Sequence, residues 1–176
     1  IGGGIWPNLC SKIIKIDSEG NYEWAKEFGQ ELDGGNLNLN VLQTPDGGYI
    51  IIKYSNTIYI RLIKLDGFGN IEWDKNLQDI YRQYGIHLRG NMAGTKIQVS
   101  DGGYAIISVK EEDNYQYTSV LIKTDLYGNL IFEREIDGFL GDLQQNNEGG
   151  YISVGWKQAS PQGGTAVFIL KTAPIE

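Results

Sequence analysis

The chain has 176 residues, 41% hydrophobic and 21% charged, which is enough to bury the core of one globular domain. Its formal net charge of −7 disfavours a nucleic-acid partner, because phosphate binding requires a basic surface. One cysteine and one histidine exclude an internal disulfide, a thiolate metal cluster and a two-histidine metal site within one chain. No apolar run reaches the roughly 18 residues of a membrane-spanning helix, so we expect no membrane span.

Thirteen short strands are predicted along the chain, and helical periodicity is absent. They cover residues 12–17, 21–28, 37–44, 48–54, 58–65, 70–77, 93–99, 103–110, 117–124, 129–136, 141–146, 150–157 and 165–172. The 24 glycines and only 4 prolines suit tight hairpin turns, because glycine adopts a positive φ without a steric penalty. The sequence therefore predicts an all-β fold.

Two sequence signatures alternate along these strands. The first is a strand, a turn and a second strand, and its copies are 13–24 (IIKIDSEGNYEW), 60–73 (IRLIKLDGFGNIEW) and 121–132 (LIKTDLYGNLIF). The second is an acidic residue followed by Gly-Gly-Tyr, and its copies begin at Asp46, Asp101 and Glu148. The first signature recurs after 49 and 59 residues and the second after 55 and 47. These spacings are close to the length of a four-stranded propeller blade.

The repeats predict a single domain over residues 1–176, a β-propeller-like array of about three four-stranded antiparallel blades. The repeat units lie near 12–28, 37–77, 93–136 and 141–172. Known propeller rings have roughly four to eight blades. Three blades therefore belong either to a larger propeller or to a ring completed by self-association. The predicted edge strand at 165–171 favours pairing, and strand 21–28 of a second copy could supply its partner.

The pattern D-G-G-Y…L-I-K-x-D-x-x-G-N-x-x-W resembles the repeat of secreted or cell-surface β-propeller proteins of bacteria and archaea. The resemblance covers residues 10–172, and the pattern changes at Phe132, Glu148 and Ala173. It implies a propeller fold and an extracellular or cell-surface location. It implies no particular activity, because propellers carry unrelated functions.

The repeated residues are predicted to build the blades. Asp17, Asp66 and Asp125 should cap their turns by accepting backbone N–H groups. Trp73 should serve blade packing. The lysines in register with these turns are predicted to form a ring of surface salt bridges; they are Lys15, Lys64, Lys123 and Lys171. The connections at the opposite end of each blade vary in length, so we expect any binding site there.

The most unusual of these variable connections is 79–90 (DIYRQYGIHLRG), a basic and aromatic segment in an acidic protein. Its candidate binding residues are Tyr81, Arg82, Tyr84, His87 and Arg89, which suit protein or glycan contacts by stacking and planar hydrogen bonding. The alternative is a loop folded over a blade edge with its tyrosines packed.

Two further candidates lie on the same predicted face. Tyr115 and Tyr117 flank a hairpin tip, and Trp156 stands outside the repeated tryptophan position. Three carboxylates precede the tyrosines at Glu111, Glu112 and Asp113. They are a weak candidate for a hard cation such as Ca²⁺, and a solvated acidic tip is the simpler interpretation.

The sequence favours a non-catalytic binding or assembly module that acts through its variable loops or open blade edges. One alternative is a glycan-binding propeller that uses Trp156, Tyr81 and Tyr84. Another is a carbohydrate-active enzyme that uses two loop-face carboxylates. No nucleophile elbow, P-loop or dinucleotide fingerprint is present, so no cofactor and no catalytic residue are predicted.

Overall fold

The computed structural model describes residues 11–28, 38–54, 60–77, 96–98, 102–111, 117–159 and 163–174. Within these ranges the protein is all-β: thirteen strands form four antiparallel sheets. In the same ranges no helix is long and apolar enough to cross a membrane. The all-β prediction is confirmed.

The four sheets follow the repeat units along the chain. The first sheet contains β1 (Ser11–Ile16) and β2 (Tyr22–Phe28). The second contains β3 (Asn38–Gln43), β4 (Tyr49–Tyr54), β5 (Ile60–Leu65) and β6 (Ile71–Asn76). The third contains β7 (Lys96–Gln98), β8 (Tyr104–Glu111), β9 (Tyr117–Thr124) and β10 (Leu130–Asp137). The fourth contains β11 (Phe139–Gln145), β12 (Tyr151–Gln158) and β13 (Thr165–Lys171).

Each strand pairs with the next strand of its sheet, so the second and third sheets are four-stranded meanders. This is the unit that the repeats predict. The connections between neighbouring strands therefore alternate between two ends of a sheet. The Gly-Gly-Tyr turns and the Asp-x-x-Gly-Asn turns share one end, called here the turn end, and the connections of variable length share the other, the loop end.

The Asp-x-x-Gly-Asn turns close by the predicted capping. Asp66 Oδ1 accepts the backbone N–H groups of Phe68 (2.9 Å) and Asn70 (2.8 Å), and Oδ2 accepts the Asn70 side-chain amide (2.9 Å). These hydrogen bonds, those from Asn70 first, lower the pKa of the Asp66 carboxyl. Gly69 has φ +84°, which glycine adopts without strain. Asp17 and Asp125 cap their turns in the same way.

Three apolar clusters hold neighbouring sheets together. Alternate residues of one strand face opposite neighbours: Ile63 belongs to the cluster between the first and second sheets, and Leu62 to the one between the second and third. Leu121 belongs to the cluster between the third and fourth sheets. Strands buried on both faces explain why several segments, such as 50–52, are apolar without alternation.

The repeated tryptophans pack one sheet onto the next. Trp24 of the first sheet lies against Tyr49 of the second (ring centroids 5.6 Å apart), and its indole N–H donates to the Gly67 carbonyl (3.1 Å). Trp73 of the second sheet lies against Tyr104 of the third (6.1 Å). The position predicted as blade packing is thus the contact between consecutive sheets.

The predicted ring of surface lysines is wrong for the two central sheets. Lys64 is only 5% exposed and Lys123 only 6%, whereas Lys171 of the fourth sheet is exposed. The lysine stems of central sheets are covered because a further sheet packs on each side. Burial at this position therefore depends on the neighbouring sheets and not on the strand's own sequence.

Candidate functional site

Most of the predicted binding residues lie outside the described part of the chain. These are Tyr81, Arg82, Tyr84, His87, Arg89 and Tyr115, together with the carboxylates Glu112 and Asp113. Glu111 is the last residue of β8. Across the described ranges, no group of three or more histidine, cysteine or acidic side chains could hold a metal ion.

The two remaining candidates, Tyr117 and Trp156, lie together at the loop end. Their ring centroids are 5.2 Å apart in an edge-to-face contact. Phe139 completes the cluster, offset-stacked on Trp156 at 5.5 Å and edge-on to Tyr117 at 6.2 Å. Tyr117 belongs to the third sheet and Trp156 to the fourth, so only the packing of these sheets brings the two rings together.

Backbone contacts fix this aromatic cluster. Gly138 alone connects β10 to β11, and its N–H donates to the Tyr117 carbonyl (2.8 Å). The buried Ser119 hydroxyl donates to the Gly138 carbonyl and accepts the Leu140 N–H, both at 2.8 Å. Phe139 lies between these anchored residues, so its ring is held next to Tyr117. The Lys157–Asp137 ion pair (2.8 Å) lies at the edge of the cluster.

A cleft of about 530 Å³ lies at the turn end, between the second and third sheets. The second sheet contributes Asp46, Lys64, Glu72 and Trp73 to its walls. The third sheet contributes the turn residues Gly102, Leu126 and Tyr127 and the first residue of β8, Tyr104. Its volume lies in the usual range for small-molecule sites.

Lys64 forms the polar centre of the cleft. Its ammonium lies 2.9 Å from Asp46 Oδ2, 2.9 Å from Glu72 Oε2 and 3.0 Å from the Leu65 carbonyl. Burial opposes protonation, but hydrogen bonds to Glu72 and Asp46 outweigh it and raise the pKa of Lys64. Hydrogen bonds from Thr44 and then Lys64 lower the pKa of Asp46 to about 2. The cluster joins one ammonium to two carboxylates, so its formal charge is −1.

The end sheets carry a third feature, an apolar outward face on each. The outward face of the first sheet includes Ile14, Ile16 and Tyr22, and that of the fourth includes Ile152, Val154, Val167 and Ile169; all seven are exposed. Large contiguous apolar surfaces are uncommon on monomeric proteins and mark interaction sites.

The sequence does not predict the cleft, because most of the residues that line it occupy repeated positions, which indicate blade-building. One signal was present in the sequence. The turn tips read Ser18-Glu19 in the first copy, Gly67-Phe68 in the second and Leu126-Tyr127 in the third. A large aromatic residue at an exposed turn tip does not help a turn to form, so Phe68 and Tyr127 called for another explanation.

Comparison with known proteins leaves the function open. No family model matches the chain, and no curated protein matches it in sequence. One similar solved structure is a protein of unknown function from Bacteroides caccae, with 10% identity and a TM-score of 0.36, over 89% of this chain and 69% of that one. The resemblance to secreted or cell-surface propeller proteins therefore stays a prediction, as does the location that it implies.

Proposed function

We propose that the protein is a non-catalytic assembly module, an array of β-propeller blades whose two end sheets bind further sheets of the same repeat. The observation that carries the proposal is a difference in burial at equivalent positions. Residues that are buried in the central sheets have exposed counterparts in the end sheets. Equivalent positions are those that align when the repeats are superimposed in sequence.

The sheet arrangement supports a propeller. The first strands of successive sheets lie near one another: β3 approaches β7, and β11 packs against β7 and β8. In a propeller the first strand of every blade lies innermost, next to its neighbours around the axis. The second and third sheets also have the four-stranded meander of a blade.

The burial difference appears at both ends of the array. Ile14 of the first sheet is 57% exposed, whereas Ile63, its counterpart in the second sheet, is 2% exposed. Ile169 of the fourth sheet is 73% exposed, whereas its counterpart Leu62 is fully buried. The end sheets therefore carry side chains suited to an interface between sheets, and no sheet of the described residues packs on them.

The two outward faces are complementary to each other. Ile63 faces the preceding sheet and Leu62 faces the following one. Ile14 aligns with Ile63 in the repeat, so it lies on the face that would meet a preceding sheet. Ile169 aligns with Leu62, so it lies on the face that would meet a following sheet. The first sheet of one copy can thus pack on the fourth sheet of another, as consecutive sheets pack within the chain. We propose that a second copy of this chain is the occupant, in a head-to-tail contact that can close a ring.

The test is the molecular mass in solution, measured by analytical ultracentrifugation over a range of concentrations. We expect the wild-type chain to form a discrete oligomer of two or more copies. Ile169→Glu should be monomeric, because it places a charge on the face that must be buried. The matched control is Phe68→Glu, an exposed turn-tip position outside both faces, which should leave the oligomer intact.

A mixing experiment tests the head-to-tail geometry. Ile14→Glu blocks one face and Ile169→Glu blocks the other, so each variant alone should be monomeric. Mixed together, they retain one intact face each and should form a one-to-one heterodimer. A monomeric wild-type chain would refute the proposal. Association that survives both substitutions would instead indicate pairing through the open edge of β13.

Glycan binding at Trp156 is less well supported than assembly. Phe139 already stacks on the Trp156 indole, which leaves less of that ring for a sugar. The enzyme alternative requires two carboxylates in one pocket, and the pair in the described cleft, Asp46 and Glu72, is bridged by Lys64. Both carboxylates are therefore already engaged with the Lys64 ammonium.

A further inference from the structure

The cleft between the second and third sheets is formed within a single chain, so it does not depend on the proposed assembly. Its walls combine hydrogen-bond acceptors, hydrogen-bond donors and aromatic surface. These three features restrict the chemistry of a ligand that the cleft can bind.

The acceptors come from the two carboxylates. Lys64 uses its three donors on Asp46, Glu72 and the Leu65 carbonyl, so it has none left for a ligand. Each carboxylate has more acceptor capacity than this ion pair uses, because an ionised carboxylate offers about four lone-pair sites. Both side chains are substantially exposed to solvent. A ligand that donates hydrogen bonds can therefore reach them.

The donor comes from Trp73. The equivalent tryptophan, Trp24, donates its indole N–H to the Gly67 carbonyl at 3.1 Å. In the described part of the chain, no acceptor is paired with the Trp73 N–H, although Trp73 occupies the same repeat position. Trp73 lines the cleft, so its N–H is a donor that a ligand could use.

The aromatic surface comes from the turn tip of the third sheet. Tyr127 is 59% exposed, and Leu126 beside it is also exposed. Glutamate and serine occupy the equivalent tip of the first sheet, so this apolar tip is not a requirement of the turn. A ring exposed at the mouth of a cleft offers a flat face on which a ligand can stack.

We propose that this cleft binds a neutral saccharide. Sugar hydroxyls both donate and accept hydrogen bonds, and so match the carboxylates and the indole N–H. The C–H face of a pyranose ring matches Tyr127. The net charge of −1 around Lys64 disfavours phosphates, sulfates and acidic sugars. An organic cation is the competing ligand, but it would have to lie beside the Lys64 ammonium.

The experiment is a printed array of neutral glycans probed with the full chain, followed by calorimetric titration of the best glycan. We expect binding that Tyr127→Ala weakens by about tenfold or more, the loss typical of a central aromatic contact. Glu72→Gln should also weaken binding. Phe68→Ala is the matched control, because Phe68 has the same turn position in the second sheet, is 83% exposed and does not line the cleft.

The outcomes separate the ligand classes. Binding that is lost in Tyr127→Ala and kept in Phe68→Ala supports the proposal. No binding to any neutral glycan, or binding unchanged by Tyr127→Ala, overturns it. Titration with spermidine serves as the cation probe, and tight binding of spermidine without glycan binding also overturns it. Tyr127 is exposed at a turn tip, so its removal should leave the fold intact, as circular dichroism can check.

Discussion

The Ser119 hydroxyl joins the third sheet to the fourth. It donates to the Gly138 carbonyl and accepts the Leu140 N–H, both at 2.8 Å, and it is fully buried. Ser108, on the neighbouring strand of the same sheet, is equally buried, but its hydroxyl has no partner in the described residues. A buried hydroxyl stabilises a protein only when it is hydrogen-bonded. A serine hydroxyl therefore contributes to stability at position 119 and does not at position 108.

Substitution of Ser119 should lower stability, whereas substitution of Ser108 should not. Ser119→Ala leaves a buried carbonyl and a buried N–H without partners, so we expect it to lower the free energy of unfolding by about 1–3 kcal/mol. Ser108→Ala removes an unpaired polar group and should be neutral or stabilising. Urea denaturation followed by circular dichroism measures both. Equal destabilisation by the two variants would contradict this account.

Trp73 packs against the turn of the third sheet, and this contact helps to stack the second sheet on the third. A Cβ atom added at Gly128 would lie 2.8 Å from the Trp73 ring, so this glycine is required for packing as well as for its φ of +77°. Gly20 has the same place in the first sheet's turn and a φ of +88°, but a Cβ atom added there would have no other described residue within 4 Å beyond its chain neighbours. Substitutions at the two glycines therefore distinguish two costs. Backbone strain is shared by both positions, whereas the loss of packing between sheets occurs only at Gly128.

We expect Gly20→Ala to cost roughly 1–2 kcal/mol, the strain of a left-handed conformation in alanine. Gly128→Ala adds the collision with Trp73, so it should cost about 1–3 kcal/mol more. The difference in unfolding free energy between the two variants measures this packing term. In a Trp73→Ala background the excess should disappear, since the ring that causes the collision is gone. An excess that persists would show that Trp73 is not its cause.

The strand positions and the turns could be predicted from the sequence because they are local. All thirteen predicted strands have an observed counterpart whose ends differ by no more than three residues. Asp66 caps its turn through residues within four positions of it. The burial of Lys64 could not be predicted in this way, because it depends on a neighbouring sheet that lies a repeat away in the sequence. The cleft beside it was missed for the same reason.

At the scale of the whole molecule, the described residues form four sheets, and the three interfaces between them follow one pattern. The two end faces repeat that pattern, and no sheet of the described residues covers them, which is why we propose that copies associate. Ligands or partners that bind only the folded state stabilise it by mass action. Self-association must therefore change the apparent stability of the chain.

The melting temperature should accordingly rise with protein concentration for the wild-type chain. Ile169→Glu removes the association, so its melting temperature should not depend on concentration. Differential scanning calorimetry over a hundredfold concentration range measures both. A wild-type melting temperature that is constant over this range would count against assembly, and Phe68→Glu should behave as the wild type does.

The sequence by itself determined the strands, the turns, the repeat and the all-β class, because each depends on backbone preferences and side chains a few residues apart. Only the tertiary structure decided which copies of a repeated residue are buried and which are exposed. Ile14 and Ile63 have the same place in the repeat, yet a sheet covers one and not the other. The cleft at Trp73 and the contact of Tyr117 with Trp156 likewise required the stacking of separate sheets. The burial of a side chain depends on the sheet that packs against it, and a repeated sequence does not indicate which of its copies have such a sheet.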